Sequence, residues 1–234
     1  MNNTIFHAIS PVIIYESILE NQEEIKELFY KKFPEHGFDN ITRLDGSTLL
    51  TGEYIGKSYL HNDKNFDTFF QSLKIHIKEY LTRLGFAEEK FSYHVLKSWY
   101  VINTNSRGQK YHIHDNSDLS FVYYVDVPEN CARIKFLNQN YTNKNCIVNG
   151  IFSEHDSQKN FINDYNNLHV TPHYLLQPTQ GKLLIFPSSL EHGVEKTDNN
   201  TKRFSIAGDI KLTLRKEIID YESGLVHPSL WREL

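Results

Sequence analysis

Residues 111–125 read YHIHDNSDLSFVYYV. Two histidines stand one residue apart, a polar turn follows, and then a run of β-branched and aromatic residues begins. The run LSFVYYVDV (119–127) has the composition of a buried strand. The histidine pair decides nothing alone, because histidine is common here, 12 of 234 residues. Its meaning depends on what the rest of the chain brings to it.

Outward from this stretch, the texture is strand-like on both sides. YHVLKSWYVINT (93–104), ARIKFL (132–137), LHVTPHYLL (168–176), KLLIF (182–186) and KRFSIAGDIKLTL (202–214) all read as strands. Turn residues separate them at 106–108, 128–130, 180–181 and 198–200. The Asn-rich stretch 138–167 has no clear period and reads as a long loop. Before Gly85 the pattern is different. ISPVIIY (9–15) reads as a short strand. NQEEIKELFYKKF (21–33) reads as a helix, with Asn21 and Glu24 as a capping pair. NFDTFFQSLKIHIKEYLTRLGF (65–86) reads as a longer one. Phe66, Phe69, Phe70, Leu73, Ile77, Tyr80, Leu81 and Leu84 form its apolar face, Gly85 stops it, and His76 lies off that face as a surface residue. Helices followed by many strands predict a mainly β fold with packing helices, a jelly roll or sandwich. The length suits a single domain over 1–234. It divides into a helical support region (1–90), a β core (91–214) and a C-terminal tail (215–234).

Composition narrows the function classes. The formal net charge is -4 and no basic run stands out, so neither nucleic acid nor an anionic membrane is expected as a partner. Cys131 and Cys146 have no metal-type spacing and read as free thiols in a reducing compartment. The opening MNNTIFHAISPVIIY resembles neither a signal peptide nor a membrane span. The cytoplasm is the expected location.

A second stretch gives the histidine pair its context. GKLLIFPSSLEHGVEKTDNNTKRFSIAGDI (181–210) holds a glycine turn, a buried strand, a proline that ends it, and then His192. Arg203 follows eleven residues later and Ser205 two after that. Residues two apart on a strand share a face, so Arg203 and Ser205 point one way while Phe204 and Ile206 point towards the helices. A buried arginine on the inner wall of a small barrel is costly unless something anionic meets it, and a carboxylate is its natural bidentate partner. By the same alternation His112 and His114 face one side, and His192 could complete a facial set. Three protein ligands with open positions describe a metal site that takes a co-substrate and O₂. Asp115 or a water remains an alternative to His114.

These blocks resemble the 2-oxoglutarate/Fe(II)-dependent oxygenases of phages and bacteria, related in fold to prolyl hydroxylases. The resemblance rests on HIHDNSDLSFVYYV (112–125), GKLLIFPSSLEHGV (181–194) and RFSI (203–206), with Trp99 matching an upstream tryptophan. It covers about residues 93–212. Asp115 departs from the pattern where a proline is usual, Phe121 where a glycine is, and Asp209 where an asparagine would be commoner. His114 stands where the wider superfamily has a carboxylate. The resemblance implies a double-stranded β-helix of the jelly-roll, cupin-like kind. It implies Fe(II) on His112, His114 and His192, and 2-oxoglutarate held by Arg203, with Ser205 and Tyr124 as helpers. Ascorbate is expected to stimulate turnover. Hydroxylation of a peptide, amino-acid or small-molecule substrate would release succinate and CO₂.

Two other functions compete. A cupin-type metal dioxygenase or isomerase would also use H-x-H on a jelly roll, with Asp118 imitating the following carboxylate, but would have no need of Arg203 and Ser205. A non-catalytic jelly-roll binding module would carry the histidines on its rim and take no metal. His169 and His173 flank Pro172 and read as structural, and His94 and His155 receive no role.

Overall fold

Among the described residues, the longest strand pairing joins the tryptophan strand to the arginine strand. These are β3 (Phe91–Thr104) and β10 (Lys202–Leu214), antiparallel over nearly their whole length. The computed structural model describes residues 12–33, 49–51, 59–104, 108–138, 173–196, 202–218 and 224–233. On its other edge β10 pairs with β5 (Leu119–Asp126), β5 with β8 (Lys182–Pro187), and β8 with β1 (Tyr15–Ile18). With β2 (Leu49–Thr51) beyond β3, this makes a six-stranded sheet in the order β1-β8-β5-β10-β3-β2. A four-stranded sheet faces it, in the order β4-β9-β6-β7, from Gln109–His112, His192–Val194, Ile134–Leu137 and His173–Leu176. The result is the expected double-stranded β-helix.

Period-two alternation divides the large sheet into two faces. Phe121, Tyr123, Phe204, Ile206, Tyr100 and Ile102 point outward into the main core. There they meet α1 (Gln22–Lys32) and α2 (Asp67–Arg83), with Phe69 against Phe121 and Tyr123, and Phe29 against Tyr100 and Phe204. Tyr124, Leu184 and Phe186 point inward and meet Ile134 and Phe136 of the small sheet. As expected, Phe204 and Ile206 turn towards the helices. Among the described residues, no helix is long and apolar enough to cross a membrane; this says nothing of a β-barrel.

Several local expectations are corrected. The first strand lies at Tyr15–Ile18 rather than 9–15; residues 12–14 are not in a strand, and 9–11 lie outside the described residues. Pairing with β8 decides where it forms, since strand propensity is subordinate to partners. Asn21 makes no side-chain capping bond, so the capping pair does not form. The second helix is preceded by a 3-10 turn at Lys64–Phe66, whose cap is Asp63. Gly85 does end it, at φ 85°, a conformation that favours glycine. His76 is half-buried rather than free on the surface. Its Nδ1 lies 2.7 Å from the Tyr15 hydroxyl, which ties α2 to the edge strand. Of the short strands, β2 was not expected, while β4 and β9 were expected only as strands carrying His112 and His192, without bounds. The stretch 138–167 lies, apart from residue 138, outside the described residues, as do His155, His169 and Cys146. Cys131 is free and buried.

Candidate metal and co-substrate site

β4 and β9 bring two of the histidines face to face. In the antiparallel register His112 is opposite His192, and directly opposed residues share a face. Their ring centroids are 4.4 Å apart. His114 lies two residues beyond the end of β4, where its backbone N–H donates to the Ser188 carbonyl at 3.0 Å. That bond keeps the chain extended long enough for His114 to point the same way as His112. The turn begins only at Asp115 and Asn116, the latter at φ 67°, so Asp115 is carried out to solvent. One potential ligand atom from each of His112, His114 and His192 lies within 4.8 Å of the other two.

Each imidazole is oriented from behind through Nδ1. His112 Nδ1 meets the Lys110 carbonyl at 3.0 Å, His192 Nδ1 meets the Leu190 carbonyl at 2.8 Å, and His114 Nδ1 meets Asp209 Oδ1 at 2.6 Å. A ring whose Nδ1 donates makes Nε2 the lone-pair nitrogen, the arrangement that metal-binding histidines need; at His112 that nitrogen lies 3.2 Å from Gln109 Nε2. The trio therefore fits a divalent cation. Burial, reinforced by the neighbouring His112, pushes the His192 pKa down to about 3, so its ring is neutral at neutral pH. Neutral imidazole is the ligating form. Phe186 packs edge-on against the His192 ring at 4.7 Å, and Trp99 stacks on His114 at 5.8 Å, with 11° between planes.

The inward row of β10 extends from this cluster into the barrel. Arg203, Ser205, Ala207 and Asp209 all line one cavity of about 560 Å³, together with His112, His114, His192, Trp99 and Tyr124. Arg203 is 3% exposed. One guanidinium nitrogen donates to the Ala132 carbonyl at 2.8 Å, the group lies over the Tyr124 ring at 5.3 Å, and Nε has no partner among the described residues. Opposite it on β3, neither amide atom of the wholly buried Asn103 has a partner among the described residues. Buried donors without partners are rare, and here they mark a place built for something more. Among the described residues, no carboxylate pairs with Arg203. Ser205 and Tyr124 are cross-strand neighbours on the same wall. Burial lifts the Tyr124 pKa to about 12 despite the opposing charge of Arg203, which keeps its hydroxyl a donor.

The sequence-predicted residues His112, His114, His192, Arg203, Ser205 and Tyr124 thus all face one cavity. Asp115 borders the same cavity but is exposed at the turn, and Asp118 is engaged elsewhere. Its carboxylate takes Lys211 Nζ at 2.9 Å and the Leu212 N–H at 2.7 Å, which leaves it unable to imitate a cupin carboxylate. His173 stacks on Tyr111 and hydrogen-bonds to its hydroxyl, and His94 contacts Thr213. Two polar residues were missed. Gln109 Nε2 lies 3.2 Å from His112 Nε2, and Asp209 backs His114. Asp209 was within reach: the alternation that joins Arg203 to Ser205 continues through Ala207 to it.

Residues 97–209 match a family model described as "Putative 2OG-Fe(II) oxygenase". No curated protein matches the sequence. Among solved structures, the chain is similar to a prolyl-4-hydroxylase of Pseudomonas putida, at 10% identity and a TM-score of 0.50, over 85% of this chain and 91% of that one. It is also similar to a prolyl hydroxylase of Trichoplax adhaerens in complex with a hypoxia-inducible-factor peptide fragment, at 11% identity and 0.51, over 85% and 83%. A third is the non-heme α-ketoglutarate-dependent carbocyclase SnoK from nogalamycin biosynthesis, at 12% and 0.50, over 86% and 82%. At these identities the likeness is one of fold.

Proposed function

We propose, from the premise that residues 97–209 are those of a 2OG-Fe(II) oxygenase, that the three histidines hold Fe(II) and that Arg203 receives the distal carboxylate of 2-oxoglutarate. When bound, these groups supply oxidation of a substrate C–H by O₂ coupled to decarboxylation of 2-oxoglutarate, giving an alcohol, succinate and CO₂. The observation that carries the reading is the combination in one cavity. Three Nδ1-anchored imidazoles line it, and so does a buried arginine whose Nε has no partner among the described residues. A cupin-type enzyme would use the first and leave the second without purpose.

The residues' own tasks follow from their chemistry. His112, His114 and His192 bring ligand atoms within 4.8 Å of one another, and Gln109 would give up its contact to His112 Nε2 when a metal binds. Arg203 has one nitrogen fixed on Ala132, which sets the plane of its fork before any ligand arrives. Tyr124 and Ser205 offer hydroxyls beside it. Trp99, Phe186 and Ile134 line the walls and limit water, which strengthens each polar contact inside. As to the substrate, hydroxylation of a peptide, amino-acid or small-molecule C–H suits a cavity of this size; the peptide in the Trichoplax structure belongs to that relative.

The test is conversion of 2-oxoglutarate to succinate by the pure protein, with Fe(II) and ascorbate and without prime substrate. Slow succinate formation is expected, absent from a His192→Ala control. Succinate no higher than in that control, under sensitive detection, overturns the reading.

A further inference from the structure

The geometry points to Asp209 as a positioning carboxylate for the metal site: it sits behind His114 and supplies there the negative charge that a set of three histidines lacks. This rests on the metal reading of the previous subsection.

Three observations carry it. Asp209 Oδ1 lies 2.6 Å from His114 Nδ1, the shortest of the three Nδ1 contacts and the only one made to a charged group. Asp209 is 8% exposed, and Ser120 Oγ approaches the same carboxylate at 3.3 Å. Ser120 in turn contacts Ser188, which contacts Ser117, each at 2.9 Å, and Ser117 donates back to the His114 carbonyl at 3.3 Å. The chain of hydroxyls closes a loop around His114. Finally, the pairing of β10 with β3 shifts register immediately after Asp209, where β3 carries the extra residue Leu96. Bulges of this kind re-aim side chains beside functional sites.

The physical consequence concerns charge. Three neutral imidazoles leave a bound dication uncompensated. A carboxylate accepting the Nδ1 proton makes the opposite nitrogen a stronger donor and adds a negative charge a few ångströms from the metal. Trp99 stacked on the ring keeps it from rotating out of that contact. Asp209 is thus a positioning residue acting through His114. It does not join the His112, His114 and His192 cluster itself.

The test is calorimetric titration of the metal-free protein with Co(II), with the visible spectrum of the bound ion as a second readout. Asp209→Asn keeps an oxygen in the same place and removes only the charge, so the side chain still accepts from Nδ1. A roughly 10- to 100-fold loss of Co(II) affinity is expected, with Asp209→Ala losing more. The decisive comparison repeats Asp209→Asn in the His114→Asp background. There the carboxylate at 209 faces another carboxylate, and removing its charge should leave Co(II) affinity unchanged or raise it. A merely structural role would cost affinity equally in both backgrounds, and that result overturns the inference. So does Co(II) affinity within twofold of wild type, with an unaltered spectrum, in Asp209→Asn alone. Failure of the wild-type protein to bind Co(II) at all would instead remove the metal reading, and this inference with it.

Discussion

At position 203 a single guanidinium separates the proposed co-substrate site from a plain metal site. Arg203→Ala is expected to weaken 2-oxoglutarate binding by roughly 10- to 150-fold, because a charge-assisted contact is worth about 1.5–3 kcal/mol. Co(II) binding should persist, since Arg203 is not among the clustered histidines. Arg203→Lys should recover only part, lacking the planar fork. Calorimetry with 2-oxoglutarate on Co(II)-loaded protein measures both, and unchanged affinity in Arg203→Ala would remove it from the site. The choice between His114 and Asp115 belongs to the same scale. His114→Ala should lose most Co(II) affinity and Asp115→Ala almost none, for His114 faces His192 in a stack at 5.1 Å while Asp115 is exposed. The opposite ranking would contradict the arrangement.

At the scale of elements, much of the plan was legible because the strands obey a simple period. Alternation alone placed Arg203 and Ser205 on one face and Phe204 and Ile206 on the other. The bounds of short elements were hidden for the opposite reason. β9 is three residues long and β4 four, too few for a pattern, and they exist because each pairs with the other. Asp209 was hidden because it was judged by its departure from a motif rather than by its place in the strand. Gly193, between His192 and Val194, is where these short strands touch. A Cβ there would lie 2.5 Å from the Gln109 carbonyl oxygen of β4. Gly193→Ala must therefore push the His112 strand away from the His192 strand. We expect a stability loss of about 1–3 kcal/mol and a fall in succinate formation of roughly 100-fold. Urea unfolding and product assay measure the two, and normal turnover would show that the strands tolerate the shift. A different element carries the pH dependence. Asp63 caps the 3-10 turn before α2 and pairs with Lys32 at the end of α1. Lys32 first, and then the Asn65 N–H, hold its pKa down to about 2. A carboxylate depressed in the folded state stabilises above its unfolded pKa, and this contribution disappears as pH falls from roughly 4 towards the folded value. Asp63→Asn should cost about 1 kcal/mol or less at pH 6, as the group is partly exposed. The difference from wild type should shrink by pH 3 in denaturant titrations; a constant difference would mean that the charge is not what matters.

At the scale of the molecule, the described helices pack on one face of the large sheet and the cavity lies against the other. Phe69 on α2 is 1% exposed and packs on Phe121 and Tyr123, whose strand neighbours Val122 and Tyr124 line the cavity. The resemblance that suggested 2-oxoglutarate came entirely from the sheet region, and the helical third entered only through its apolar stripe. What ties the two faces together is the central claim, that one cavity takes a metal and then 2-oxoglutarate. Thermal unfolding of the wild-type protein with Mn(II), 2-oxoglutarate, both or neither tests it most directly. A ligand at 100 times its Kd adds about 2.7 kcal/mol, and each kcal/mol moves Tm by about 2–4 °C in a chain of this size. The account predicts a rise with Mn(II), a further rise when 2-oxoglutarate is added to the Mn(II)-loaded protein, and a much smaller one with 2-oxoglutarate alone. A rise with Mn(II) that 2-oxoglutarate leaves unchanged would point to a cupin-type metal enzyme, and no response to either would contradict the account altogether.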